Sequence, residues 1–282
     1  MISELKLNNF RCFETSIINL SPGINFFYGP NGSGKTSILE AIYMCSSGKS
    51  FKSSNIKSLI SFDQDFFSIN AYDSNKGYTL NLVKGRASPI SIKINNTKST
   101  TSALLKEFPA TAIHNNTFSF ANASPDFRRK ILDRSLFVSS PNFSETWFGF
   151  YRSLKQRNSS LKKGLIDNID VWNQKVSEEG IALDINRITF FEDSLSELNN
   201  IFNRLKPSPM VDKLNKVNIE FFSGWDKENQ LYELLTQNQK KDLFSKTTTQ
   251  GHHKADIKIL INGMDAKQIL SRGEQKILSI LW

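Results

Sequence analysis

Cysteine and histidine are scarce in this chain, with two and three residues among 282. Cys12 and Cys45 cannot build a disulfide framework or a zinc cage, and two ordinary thiols fit a reducing compartment. His114, His252 and His253 are too few and too scattered for a metal centre and read as surface residues. Long apolar runs are missing as well: none approaches the ~20 residues that cross a bilayer. The N-terminus, Met1-Ile2-Ser3-Glu4-Leu5-Lys6, is punctuated by charge and lacks the apolar core of a signal peptide. These absences predict a cytoplasmic protein with no membrane contact.

Acidic residues are the minority sign: 27 Asp plus Glu stand against 36 Lys plus Arg, a net charge of +9. That balance favours an anionic partner, nucleic acid first, although solubility alone also tolerates it. With 39% apolar residues and 22 phenylalanines the chain can bury a sizeable core, which excludes intrinsic disorder.

The first local signal comes early. Leu5 and Leu7 alternate with polar neighbours, Ile17, Ile18 and Leu20 form a second run, and Ser21-Pro22-Gly23 precedes Ile24-Asn25-Phe26-Phe27-Tyr28. The pattern predicts strand, strand, turn, strand. Gly29-Pro30-Asn31-Gly32-Ser33-Gly34-Lys35-Thr36 follows directly and satisfies G-x-x-x-x-G-K-[ST]. Ile38, Leu39 and Ile42 then share a helical face. Glycines at this spacing let backbone N–H groups point inward at phosphate oxygens, and the next helix adds its positive end. Lys35 is placed to reach β- and γ-phosphates, and Thr36 to ligate Mg²⁺.

The middle reads as an arm. Trp147, Tyr151, Leu154, Leu161 and Leu165 recur at helical steps, interrupted by Asn158; Ile188, Phe191, Leu195, Leu198, Phe202 and Leu205 form a heptad ended by Pro207 and Pro209. Two such helices predict an antiparallel hairpin. Glu192 and Asp193 are expected on its solvated face, not as paired acids at a strand end. Basic residues gather off the stripes: Arg128, Arg129, Lys130, Arg152, Lys155, Arg157, Lys162 and Lys163, with Lys49, Lys52 and Lys57 earlier. They are candidates for DNA phosphates, the alternative being solvated helix faces.

Near the C-terminus Ile257, Ile259 and Ile261 alternate as a strand, Asn262-Gly263 offers a hairpin turn, and Leu270-Ser271-Arg272-Gly273-Glu274-Gln275 opens a helix. Alone, that last segment is an N-cap serine with Glu274 beside it.

Taken in order, Asn8-Asn9-Phe10-Arg11, the Gly29–Thr36 loop with Ile38-Leu39-Glu40-Ala41-Ile42-Tyr43, Gly48-Lys49-Ser50-Phe51, Arg128-Arg129 with Leu132-Asp133, Leu154–Asn158, Gly251 with His253-Lys254, and Leu270–Gly273 make the sequence resemble the RecF family across nearly its whole length. The resemblance implies an α/β, ABC-type P-loop ATPase head related to SMC heads, with a helical-hairpin insertion. The expected segments are an ATPase lobe over 1–122, an arm over 123–210 and a returning segment over 211–282. It implies ATP and Mg²⁺ as cofactors, with Gly29 to Thr36 and Arg11 around the nucleotide. Ser271, Arg272, Gly273 and Gln275 of a second copy would cover the γ-phosphate, making ATP the glue of a homodimer. The family's role is DNA replication, recombinational repair and SOS induction: binding single-stranded and gapped DNA, and helping RecA loading with RecO and RecR.

Three departures accompany the resemblance. Nine residues follow Gly273 and contain no Walker B acid, so the catalytic acid is unassigned and the head is expected to be C-terminally incomplete and unstable by itself. A non-hydrolysing, ATP-gated DNA-binding module and another SMC-like ATPase are the alternatives. Asn115-Asn116 stand where Pro-Glu is usual, and Lys52 stands where an arginine is usual, keeping charge but losing a bidentate fork.

Overall fold

In the computed structural model, which describes residues 1–113, 120–165, 167–205, 213–227 and 230–282, the chain divides into two compact units, Met1–Ala112 and Ile113–Trp282. The first is built on an antiparallel sheet of β1 (Ile2–Phe10), β2 (Phe13–Asn19), β3 (Phe66–Asp73), β4 (Tyr78–Gly85), β5 (Ser91–Ile94) and β6 (Thr97–Lys98), in the order β2-β1-β3-β4-β5-β6. Period-two alternation fixes the register. Leu7 pairs with Ile69, Ile69 with Leu82 and Leu82 with Ile92, so one row of fully or nearly buried side chains crosses four strands. Helices α1 (Lys35–Ser47) and α2 (Thr101–Glu107) complete this core through Ala41, Met44, Cys45 and Leu104. Burial pushes the Cys45 thiol up to about 12, leaving it an inert packing group.

The strand expected over Ile24–Tyr28 does not form. Ile24, Phe26 and Tyr28 are 80%, 83% and 94% exposed, and no described strand runs beside them. A strand exists only with a ladder partner. Here Asn25 curls the chain instead: its side chain accepts from the Ser21 amide at 2.9 Å and donates to the Ser21 carbonyl at 2.9 Å.

The second unit carries α3 (Pro125–Ser139), α4 (Phe143–Lys163), α5 (Ile169–Arg204), β7 (Asn218–Phe222), α6 (Leu231–Gln237), α7 (Gln239–Ser245), β8 (Asp256–Ile261), β9 (Met264–Asp265), α8 (Ala266–Ile269) and α9 (Arg272–Leu281). Ser124 caps α3, with Pro125 at its first position. Helices α4 and α5 form the antiparallel hairpin, Arg157 donating to Asn173 while Gly149 lies against Glu179. Phe191, Leu198 and Phe202 are buried, as the heptad demands, and Glu192 and Asp193 are exposed. Pro207 and Pro209 lie outside the described residues. Asn262 and Gly263, at φ 51° and 78°, turn β8 into β9. Phe191 of α5 packs against Phe221 of β7 and Trp282, so the arm and the returning segment share one hydrophobic cluster.

Candidate nucleotide site and basic face

Between the end of the exposed Ile24–Tyr28 segment and α1, the loop Gly29–Gly34 takes positive φ at all three of its glycines: 143° at Gly29, 87° at Gly32 and 90° at Gly34. At Gly34 nothing larger fits. A Cβ there would meet the Phe13 ring at 2.5 Å and Cys12 Sγ at 3.0 Å. Among the described residues no acceptor is found for the amides of Asn31, Gly32 and Gly34, which stand just ahead of the first turn of α1. Such orphan donors at a helix start suit a phosphate chain. Lys35 folds back over its own loop, Nζ donating to the Gly29 carbonyl at 2.8 Å and the Pro30 carbonyl at 2.6 Å. Thr36 is exposed on the first turn of α1.

The loop forms one side of an open cleft of about 510 Å³. Arg11, Cys12, Lys52, Ser58, Ile60, Ser61 and Phe62 line the rest. Arg11 occupies the β1–β2 turn at φ 57°; its amide donates to the Leu59 carbonyl at 2.7 Å and its carbonyl accepts from Ser61 Oγ at 2.8 Å. Its guanidinium grips Glu40 in a fork, Nε to Oε2 and Nη2 to Oε1, each at 2.9 Å. Of the residues expected around ATP, Arg11, Asn31, Gly32, Gly34, Lys35 and Thr36 line this one cleft, while Gly29, Pro30 and Ser33 belong to the same loop without lining it.

Ser271, Arg272 and Gly273 are exposed at the N-terminus of α9. Ser271 and Glu274 form a reciprocal capping box, Ser271 Oγ accepting from the Glu274 amide at 3.3 Å and the Ser271 amide donating to Glu274 Oε2 at 2.6 Å. Lys213 donates to the same carboxylate at 3.0 Å; this contact, then the Ser271 amide, holds the Glu274 carboxyl below its ordinary value. Gln275 faces inward, 5% exposed, bound to Asn122 and to the Leu270 carbonyl.

The basic set separates into two groups. Arg157, read from sequence as a phosphate contact, is 0% exposed and pairs with Asp242 at 2.7 Å, with further bonds to Asn173, Thr248 and the Leu235 carbonyl. It lies three residues after Leu154 and four before Leu161, on the buried stripe of α4, which is why it turns inward. Arg128 forks onto Asp256, and Arg129 donates to the Ala255 carbonyl. Lys130 pairs with Asp126 one turn earlier. Lys49, Lys52, Lys57, Arg152, Lys155, Lys162 and Lys163 remain exposed.

The histidines correct a second expectation. His252 is 1% exposed, its ring 4.5 Å from Trp225 and 5.6 Å from Phe150, and it is seated against Gly180, where a Cβ would approach its Cδ2 to 2.3 Å. Burial drives its pKa below the ordinary value despite Asp184 alongside, and burial likewise lowers His253 to about 4. Among the described residues no cluster of His, Cys, Asp or Glu could hold a metal ion. His114 and the Asn115-Asn116 pair lie outside them. No described helix is long and apolar enough to cross a membrane.

No short sequence pattern marks Glu40 as an ion-pair partner, or Ser58, Ile60, Ser61 and Phe62 as cleft wall. Glu40 carried one signal: an acid four residues after Thr36, on a helix whose neighbours Ala41 and Met44 are apolar. The wall residues carried none, because a tertiary bridge from Phe10 to Ile60 places them.

A glycine nest opening onto a helix, an antiparallel sheet beside it and a helical hairpin in the second unit define an ABC-type P-loop head. Solved structures agree: the structure entitled "Structure of the recombination mediator protein RecF-ATP in RecFOR pathway" matches with a TM-score of 0.85 and 25% identity, covering 99% of this chain and 78% of that one. An SMC head bound to the C-winged helix domain of ScpA shares the fold at a TM-score of 0.52 and 17% identity, covering 99% of this chain and 74% of that one. Residues 1–281 match the RecF/RecN/SMC N terminal domain, and the chain belongs to the RecF family. Relatives named DNA replication and repair protein RecF include that of Shewanella baltica, 34% identical over 290 residues, and that of Erwinia tasmaniensis, 31% identical over 281 residues. Each alignment covers 98% of this chain and 76% of the relative.

Proposed function

We propose that this protein binds ATP with Mg²⁺ in the P-loop cleft and serves DNA replication and recombinational repair as an ATP-dependent, DNA-binding dimer. The observation that carries the reading is the set of unpaired amides at Asn31, Gly32 and Gly34, opening onto a cleft whose walls bring Lys35, Arg11 and Lys52. Gly29 to Gly34 and Lys35 hold the triphosphate, Thr36 ligates Mg²⁺, and the metal offsets phosphate charge when bound. Ile60 and Phe62 offer an apolar wall for the base.

Ser271 and Gly273, exposed at the start of α9, suit a γ-phosphate presented by a second copy, with exposed Arg272 between them, whereas Gln275, expected beside them, is turned into the core and braces the helix start instead. The exposed cations of α4, Arg152, Lys155, Lys162 and Lys163, suit single-stranded or gapped DNA, and recombination mediators of the RecO and RecR type suit the pathway named for the ATP-bound relative.

Equilibrium titration with a fluorescent ATP analogue and Mg²⁺ tests the core of the reading. Saturable binding displaced by ATP is expected, weakened about tenfold or more by Lys35→Ala. Equal binding by both proteins refutes it.

A further inference from the structure

We infer that Glu40 is a positioning residue of the nucleotide cleft, setting both Arg11 and the Lys52 turn on its wall. The inference rests on the proposed ATP site but concerns a group that need not touch the ligand. Glu40 is 1% exposed, on α1 one turn beyond Thr36. Its two oxygens receive Nε and Nη2 of Arg11, leaving Nη1 without a protein partner among the described residues. Oε1 also accepts from the Ser50 hydroxyl. Ser50 Oγ in turn accepts from the Lys52 amide at 2.9 Å and the Ser53 amide at 2.8 Å, which folds the turn that carries Lys52.

One buried carboxylate therefore organises two cationic residues from distant parts of the chain, both on the same cleft. Its charge is spent inward on the guanidinium, so the acid does not oppose a polyphosphate as an exposed carboxylate would. The fork fixes the plane of the guanidinium, and a fixed donor array loses less entropy when it meets phosphate. The backbone of Arg11 is already tied to Leu59 and Ser61, so Glu40 supplies the remaining restraint, on the side chain.

The test measures ATP affinity across a salt series for the wild-type chain, Glu40→Gln, Arg11→Ala, the double variant, Ser50→Ala and Lys35→Ala, each checked for folding by circular dichroism. Glu40→Gln is expected to weaken ATP about tenfold and to flatten the salt dependence as Arg11→Ala does. The double variant should be weaker than Arg11→Ala by only about the threefold that the Ser50 arm carries, not by the full loss of Glu40→Gln. Ser50→Ala should weaken ATP by a smaller factor, about threefold, and this decides the matter should Glu40→Gln not fold. Unchanged or tighter ATP binding in the folded Glu40 or Ser50 variant, an unchanged salt slope, or multiplicative losses in the double variant overturn the inference. A Lys35→Ala protein that binds as well as wild type would instead overturn the ATP site itself.

Discussion

Arg157 and His253 show what burial does to residues that sequence places on the surface. Arg157 is enclosed with a partner at each of its three nitrogens, yet burial still lowers its pKa against the opposing pull of Asp242, so removing a partner leaves a costly buried charge. His253 donates from Nε2 to the Thr248 carbonyl at 2.9 Å, while its buried Nδ1 has no partner among the described residues. Protonation would place a cationic N–H there, and burial therefore lowers the folded pKa to about 4 against the ordinary 6.5. The unfolded chain binds the extra proton between those values. Stability from His253 is thus complete above about pH 6.5 and lost as pH falls towards 4, with His252 adding in the same direction. Melting temperature should fall between pH 7 and pH 4.5, and His253→Gln, which can keep the bond to Thr248, should flatten part of that fall. Identical pH profiles for the two proteins would remove His253 from the account.

Elements succeed or fail here by whether the chain supplies them with neighbours. Helices α4 and α5 carry their own hydrogen bonds and needed only a stripe, which the heptad supplied. The Asn262-Gly263 hairpin needed two residues that tolerate positive φ. The run Ile24–Tyr28 has strand composition but no ladder among the described residues, and an exposed apolar segment of this kind is a template for pairing with other chains. Phe26→Lys should raise the protein concentration at which light scattering begins. It should also leave stability within about 0.5 kcal/mol in chemical denaturation, because the ring is already in solvent. Scattering that does not respond to the substitution would place the aggregating surface elsewhere.

For the whole molecule, the proposed dimer divides its nucleotide contacts between copies, and the two halves can be broken separately. Lys35→Ala should abolish both ATP binding and ATP-dependent dimerisation. Ser271→Arg places bulk at the start of α9 and should abolish dimerisation, seen by sedimentation, while a single copy still binds ATP. Normal dimers in Ser271→Arg would defeat the composite site and leave the P-loop reading intact.

The sequence by itself determined the features whose physics is local. The P-loop needs only consecutive backbone angles and a following helix start; the arm needs a period; the Ser271 cap needs Glu274 three residues on. Tertiary structure decided which polar groups lost their water. Asp242 reaches Arg157 across 85 residues and Glu40 reaches Arg11 across 29, distances over which no short pattern carries information. Whether a charge faces solvent or a partner is set by the packing of whole elements, because desolvation is a property of the surroundings and not of the residue.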